Sequence, residues 1–273
     1  PDEGCNYCHN PENMASDEVY TKVVSRRMIQ MNQAINADWK PHVAETGVTC
    51  YTCHRGQNIP ANVGAIGDGM RSSGAGRVGG GGQNMASAVV GSTSLPYTPL
   101  EDYLLDSKPI RVHSKTALPD GQNMTGIKET ESTWSLMMHI SDSLGANCMA
   151  CHNSRAFDDW DQSPPQRVTA WHGISMTRQI NLDYMAGLAP ALPANRKGPD
   201  GDTLKVNCAT CHNGVQKPLY GVSMLKDYVD SLGSKTETGV PDYSTYEPGA
   251  TQKLEPQRNS SLDGTTGSRL ASR

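Results

Sequence analysis

MIQMNQAINADWKPHVAETGVTCYTCH, residues Met28 to His54, is the stretch on which the reading of this chain turns. A helical run leads into a short loop carrying His42, and the stretch closes on Cys50, Cys53 and His54 in the order Cys-x-x-Cys-His. Paired cysteines at that spacing take the two vinyl groups of a porphyrin as thioethers, and the adjacent histidine becomes the proximal ligand of its iron. This is the attachment pattern of a c-type haem. Upstream, the same stretch offers Met28, Met31 and His42 as further ligands, of which one haem uses only one as its sixth. If a second is also used, this segment ties two haems together.

Cysteine arithmetic extends the reading to the whole chain. All eight cysteines fall in four copies of the motif: CNYCH (Cys5, Cys8, His9), CYTCH (Cys50, Cys53, His54), CMACH (Cys148, Cys151, His152) and CATCH (Cys208, Cys211, His212). None is left for a disulfide, a lipid anchor or a catalytic thiol. Zinc sites and redox dithiols need no histidine fixed directly after each pair, so four covalent haems are expected. Such haems are attached outside the cytoplasm, which implies a periplasmic compartment.

Composition agrees. Aromatic residues are 5% of the 273, with a single Phe, and mean hydropathy is −0.56. Side chains alone make a thin core, and macrocycles can supply the missing apolar bulk. A net charge of −4 argues against nucleic acid or anionic membrane as partner. No apolar run approaches the roughly 20 residues of a membrane span. No signal peptide is visible, and the abrupt start at PDEGC is expected to reflect processing or truncation.

Between Asp17 and Trp39 the positions Val19, Val23, Met28, Met31, Ile35 and Trp39 recur at near-helical spacing. Met28 and Met31 share a face, so one can bind iron while the other packs. NPENMASDE, after the first motif, reads as a helix start, with Met14 a helix residue too close to His9 to reach the opposite face of its haem. Residues 56–130 are Gly-rich and aperiodic, a connecting segment without a phosphate-binding pattern. Within it SLPYTPLEDYLL suggests a turn and a short helix, and PIRVHSKT a brief strand whose His113 is structural or at the surface.

The second half repeats the first. A helix over about 132–144 precedes the third motif, and Met137, Met138 and His139 in it are consecutive, so they point three ways. RVTAWHGISMTRQINLDYMAGLAP gives another helix before the fourth motif, with Met176 and His172 as interior ligand candidates. Ile29, Met31, Ile35, Asn36 and Trp39 match Ile174, Met176, Ile180, Asn181 and Tyr184 at one constant offset. The expected fold is mainly α with extensive irregular loops: a multihaem cytochrome c of two pseudo-symmetric halves, each a pair of helix–CxxCH haem units. It is read as one domain, residues 1–273. Residues 1–58 carry haems 1 and 2, 59–130 connect, 131–228 carry haems 3 and 4, and 229–273 form an extended tail. A last helix is expected over about 224–232, and the tail beyond Gly233 is read as ordered only against a partner.

SRRMIQMNQAINADW, CYTCHRGQ, SLPY, MMHISDSLGANCMACHNSRAF and CATCHNGVQKPLYG resemble the tetrahaem cytochrome c subunit of the purple bacterial photosynthetic reaction centre, over Gly4 to about Tyr228. The resemblance implies His/Met ligation at haems 1 to 3 and His/His at haem 4. Carried onto this chain, His54 pairs with Met28, His152 with Met137, and His212 with His42; Met31 and Met176 become packing residues. His9 serves haem 1, whose methionine lies upstream of the motif in the family. The implied spatial order of haems is 1, 2, 4, 3, with haem 3 nearest the chlorophyll pair.

The function so implied is electron transfer without bond chemistry, hence not an enzyme. A soluble periplasmic carrier, a small cytochrome c or a high-potential iron–sulfur protein, gives electrons that re-reduce the photo-oxidised special pair. The implied partners are the reaction-centre L and M subunits, with H and light-harvesting 1 around them. The implied location is the periplasmic face of the photosynthetic inner membrane, with a lipid or signal anchor in sequence not present here. The rival readings are a multihaem carrier of a respiratory chain and a multihaem reductase, which needs an open iron position.

Overall fold

The computed structural model describes residues 4–65, 86–87, 91–92, 100–110, 126–236 and 242–247. Helices from the two halves of the chain pack against each other, and each leads toward a CxxCH motif. Helix α1, Tyr20–Asp38, buries Tyr20, Val23, Ala34 and Ile35 on the face that the periodicity anticipates. It closes where the Trp39 N–H reaches the Ile35 carbonyl at 3.1 Å. Pro41 then starts a single turn, α2 (Lys40–Val43), since a proline in the first turn sacrifices no intrahelical bond. His42 therefore sits in a helical turn rather than the expected loop. Gly47 has φ 60° and lies so close to Leu225 that a Cβ there would run into its side chain. The chain turns at that point into α3, Cys50–His54.

Beyond α3, strand β1 (Val63–Gly64) runs out from the motif. A small ribbon of β2 (Ala86–Ser87) and β3 (Gly91–Ser92) follows, then a π-helical turn at Glu101–Leu105 where a short helix was expected. Helix α4, Ile127–Leu144, starts five residues earlier than anticipated and ends at Gly145 in the left-handed region. The third motif, Cys148–Ala150, is a 3-10 turn. Helix α5, Gln166–Gln179, continues as a π turn to Met185 and a 3-10 turn to Ala191. Strand β4 (Lys205–Val206) pairs antiparallel with β1, Val63 opposite Val206, and leads into α6, Cys208–His212. The described elements are thus mostly helical, with loops and short strands.

Two small apolar clusters hold this together, in keeping with the thin core expected. Ile35 and Val48 meet Met176 and Ile180, with Met31, Trp39, Val43, Met185 and Val206 around them. Tyr103, Leu104 and Leu136 meet Ile174, flanked by Met137 and Ile140. Helix α5 contributes to both. Polar bonds reinforce this packing: Trp39 Nε1 donates to Gln179 Oε1 at 2.7 Å, and the Arg27 guanidinium lies 4.2 Å from the Tyr184 ring centre.

Three expectations change. No helix begins in NPENMASDE: Asn10 bridges to Asn13 and the helix waits until Tyr20, because the Asn10 side chain takes the Glu12 N–H and stabilises a turn. The last expected helix divides into a 3-10 turn, Leu225–Asp227, and one α turn, α7 (Val229–Leu232). Gly233–Thr236 lies against this chain's own α1, and Tyr246 contacts the residues just before it. Lys235 pairs with Asp38 at 2.6 Å, Thr236 bonds Gln33, and the Tyr246 hydroxyl donates to the Asp17 carbonyl. His113 lies outside the described residues.

Candidate functional site

Each motif is shaped by a few local bonds. Thr52 Oγ1 accepts from the Thr49 N–H, and Thr210 Oγ1 from the Asn207 N–H, both at 3.0 Å, so α3 and α6 begin alike. Both end alike as well: Arg55 and Asn213 take left-handed conformations, at φ 51° and 53°, and are followed by Gly56 and Gly214 at φ 84° and 83°. The reversal brings the carbonyl three residues on back to the motif histidine, Gln57 O to His54 Nδ1 and Val215 O to His212 Nδ1, both at 3.0 Å. Motifs one and three use another route. Asn10 and Asn153, directly after the histidine, cap the N–H groups of Glu12 and Arg155. The turn returns Met14 O to His9 Nδ1 at 2.9 Å and Phe157 O to His152 Nδ1 at 2.8 Å.

The consequence is chemical. A carbonyl can only accept, so Nδ1 carries the proton in each ring and Nε2 keeps its lone pair for a metal. A carbonyl partner on the second nitrogen also fixes the ring plane and raises ligand basicity. His42 shares the arrangement, with Nδ1 2.9 Å from Thr169 O. His139 is buried in α4, with Nε2 3.5 Å from Ser143 Oγ. His9, His42, His54, His152 and His212 thus each have Nδ1 on a backbone carbonyl.

His42 and His212 come together from opposite ends of the chain, with ring centres 6.0 Å apart and planes at 68°. Ring centres at this separation would let both Nε2 atoms reach one metal at about 2 Å, so His42 and His212 could together hold an iron. Burial lowers the proton affinity of both rings; His172 depresses His42 further and His42 depresses His212, which favours neutral imidazoles at this pair. Burial does the same at His152, whose ring stacks on Phe157 at 4.1 Å.

The methionine candidates separate by environment. Met31 packs on the first apolar cluster and Met176 belongs to it, whereas Met28 is half-buried on α1 and belongs to neither cluster. Met137 is half-buried against the second cluster, and Met138 is 38% exposed.

The cysteines hold one departure from expectation. Cys53 and Cys211 are joined as a disulfide, with Cα atoms 4.3 Å apart, while Cys5, Cys8, Cys50, Cys148, Cys151 and Cys208 are free thiols. The cause is the packing of α3 on α6, which sets the second cysteines of two motifs side by side. One sulfur makes either a disulfide or a thioether, so the cross-link and haem attachment at these two residues are alternatives. The same seam carries the bond from Arg55 Nη2 to Cys211 O at 3.3 Å and that from Asn62 Nδ2 to Asn213 Oδ1 at 2.9 Å.

Sequence reasoning missed three features. Asn36 and Asn181 were seen to match but not to clamp their motifs: each binds both backbone groups of the residue two before the first cysteine, Val48 or Val206. Thr169 and Gly173 were missed as the wall behind His42, although a glycine inside a helical pattern signals a packing reason. The carbonyl partners left no trace in residue identity.

Cysteine pairs beside histidines with a free Nε2 define a c-type cytochrome, with haem bound covalently. Residues 1–231 match the family model of the photosynthetic reaction centre cytochrome C subunit, and the chain belongs to that family. Among curated proteins it is 52% identical over 230 residues to the photosynthetic reaction center cytochrome c subunit of Rubrivivax gelatinosus, covering 84% of this chain and 62% of the relative. It is 53% identical over 229 residues to that of Thermochromatium tepidum (84% and 56%) and 44% identical over 239 residues to that of Roseobacter denitrificans (84% and 64%). The chain thus spans about three-fifths of the length of the curated relatives it matches.

Proposed function

We propose that this chain carries four haems and passes electrons to the photo-oxidised chlorophyll pair of a reaction centre, taking them from a soluble periplasmic carrier. The observation that carries the reading is the His42–His212 pair, with Nδ1 of each ring held by a carbonyl and the two rings at a separation one iron can bridge. Haem bound in the four motifs supplies reversible one-electron chemistry at iron. His9, His54, His152 and His212 serve as proximal ligands, Met28 and Met137 complete the second and third sites, and His42 completes the fourth. A thioether opposite histidine raises a site's potential, and two imidazoles lower it, so His42 makes one site the low member of the set. With both faces of an iron held by side chains, a site exchanges electrons and leaves no position for substrate.

The two halves read as copies related by an approximate two-fold axis. Motifs one and three share the 3-10 turn and asparagine cap, and motifs two and four share the α turn, threonine bond and left-handed end. Asn36 and Asn181 support the same reading. The α3–α6 seam sets motifs two and four at its centre, which favours the order 1, 2, 4, 3. Its partners in this reading are the reaction-centre L and M subunits, with H and light-harvesting 1 around them, on the periplasmic face of the membrane. Among the described residues no helix is long and apolar enough to cross a membrane.

The test is flash-induced absorbance in the haem α-band, on membranes carrying this protein with the haems reduced. The expected result is rapid haem oxidation matched to recovery of the bleached chlorophyll pair. An absent flash response, with reaction centres active, would refute the reading in favour of a respiratory carrier.

A further inference from the structure

We propose that Gly173 is a positioning residue for the haem iron: the missing Cβ leaves the space in which the His42 imidazole lies as it faces His212. The inference rests on the reading of His42 as a ligand. A Cβ built on Gly173 would stand 2.5 Å from His42 Cε1, 2.9 Å from Nδ1 and 3.2 Å from Nε2. Separations under 3.0 Å are essentially never seen for a real Cβ, and all three nearest atoms belong to the one ring. The nearest obstacle is therefore the imidazole.

The backbone does not require glycine here. Gly173 lies inside α5 without a positive φ, where any L residue fits the backbone and glycine is the weakest helix former after proline. The helix is otherwise secured at this point, since Thr177 Oγ1 donates to the Gly173 carbonyl at 2.8 Å. One turn earlier on the same face, the Thr169 carbonyl takes the His42 Nδ1–H at 2.9 Å. Thr169 fixes the rotation of the ring and Gly173 its depth. A methyl group at 173 drives the ring off α5, either breaking the Thr169 bond or pressing Nε2 out of line with His212. Helix α5 lies in the second half of the chain and α2 in the first, so the fourth haem's ligand is presented by one half and seated by the other.

The experiment uses the full chain matured with its haems. Gly173→Ala should lose the bis-imidazole low-spin signal in electron paramagnetic resonance and the low-potential component of a redox titration. Covalent haem content should be retained. Gly187→Ala, where a Cβ meets nothing within 4 Å, should retain both signals. An unchanged bis-imidazole signal and potential in Gly173→Ala would overturn the proposal. His42→Ala separates it from the reading beneath it: if that variant also leaves the signal intact, the ligand assignment itself fails. Should Gly173→Ala accumulate poorly, thermal melts of the double variant with His42→Ala decide. A loss of stability that disappears without the ring supports the clash, and an equal loss without the ring overturns it.

Discussion

Asn36 and Asn181 make a matching trio of backbone bonds at two distant places in the chain, Asn36 adding one to Asn32 Oδ1 at 3.1 Å. Asn36 Nδ2 donates to Val48 O and Leu232 O, both at 2.9 Å, while its Oδ1 accepts from the Val48 N–H at 2.8 Å. Asn181 Nδ2 donates to Val206 O at 2.9 Å and Leu104 O at 3.2 Å, and its Oδ1 accepts from the Val206 N–H at 2.8 Å. Both side chains are almost wholly buried. Each carboxamide thereby ties a long helix to the entry of a CxxCH turn and to a capping segment, with its donors and acceptor satisfied.

Replacing Asn36 by Leu keeps the volume and removes the bonds, leaving Val48 N–H and two carbonyls buried without partners. Unsatisfied buried groups cost about 1–3 kcal/mol each, so with partial relaxation Asn36→Leu should destabilise the protein by about 2–4 kcal/mol. Asn181→Leu should cost a similar amount. Chemical denaturation of the matured protein measures this. A loss below about 1 kcal/mol at both positions would show that the clamps are incidental.

Met28 and Met31 are one turn apart on α1, and only Met31 packs on the first apolar cluster. Met31→Leu is a near-isosteric exchange and should cost less than about 1.5 kcal/mol, with the haem spectrum unchanged. Met28→Leu removes the proposed sulfur ligand and should lower the potential of one haem or make it high-spin. Visible spectra of the reduced and oxidised variants distinguish them, and the reverse result would exchange the roles of the two residues.

Cys-x-x-Cys-His is legible from sequence because covalent attachment demands fixed residue types at fixed spacing. Helix α1 is legible because Val23, Met28, Met31 and Ile35 recur at near-helical spacing, and α5 because Ile174 and Met176 match Ile29 and Met31 at one constant offset. His42 was harder to place: spacing alone could not tell loop from turn, because Pro41 both ends one helix and starts another. The carbonyls of Gln57, Val215, Met14 and Phe157 were invisible, since a backbone acceptor is common to every residue and only the chain reversal selects it. Gly233–Thr236 read as featureless for a related reason. The tail's anchors are single polar contacts to α1, made by Lys235 and Thr236, with no periodic apolar face.

At the start of α1 the Arg26 guanidinium binds the Asp17 carboxylate through two bonds of 2.8 Å, and Lys22 adds a contact at 3.3 Å. Chiefly through Arg26, and against a smaller effect of burial, the Asp17 pKa falls from 3.8 to about 2. A depressed folded-state pKa means that the stabilisation is complete above the unfolded value and is lost as pH falls through the folded one. Between about pH 5 and pH 2 the melting temperature of the wild type should therefore fall more steeply than that of Asp17→Asn, the two curves converging at the acid end. The carboxylate is half exposed, so added salt should narrow the gap. Parallel curves across this range would show that the ion pair contributes nothing.

His42→Met tests the electronic role of the imidazole pair most directly. The ring is 6.0 Å from that of His212, and a methionine side chain of similar reach can present sulfur in its place. Thioether sulfur favours the reduced iron, whereas a second imidazole favours the oxidised one. The fourth site should rise in potential by on the order of 0.1 V, a fraction of the roughly 0.8 V that axial ligands span. The bis-imidazole resonance should give way to a His/Met spectrum, while the other three sites keep their potentials. Electron transfer through the chain should then change at the step into or out of this one site, because its neighbours no longer stand above it. Spectroelectrochemical titration reads the shift. If instead a different site moves, or none does, His42 is not the partner of His212 on iron.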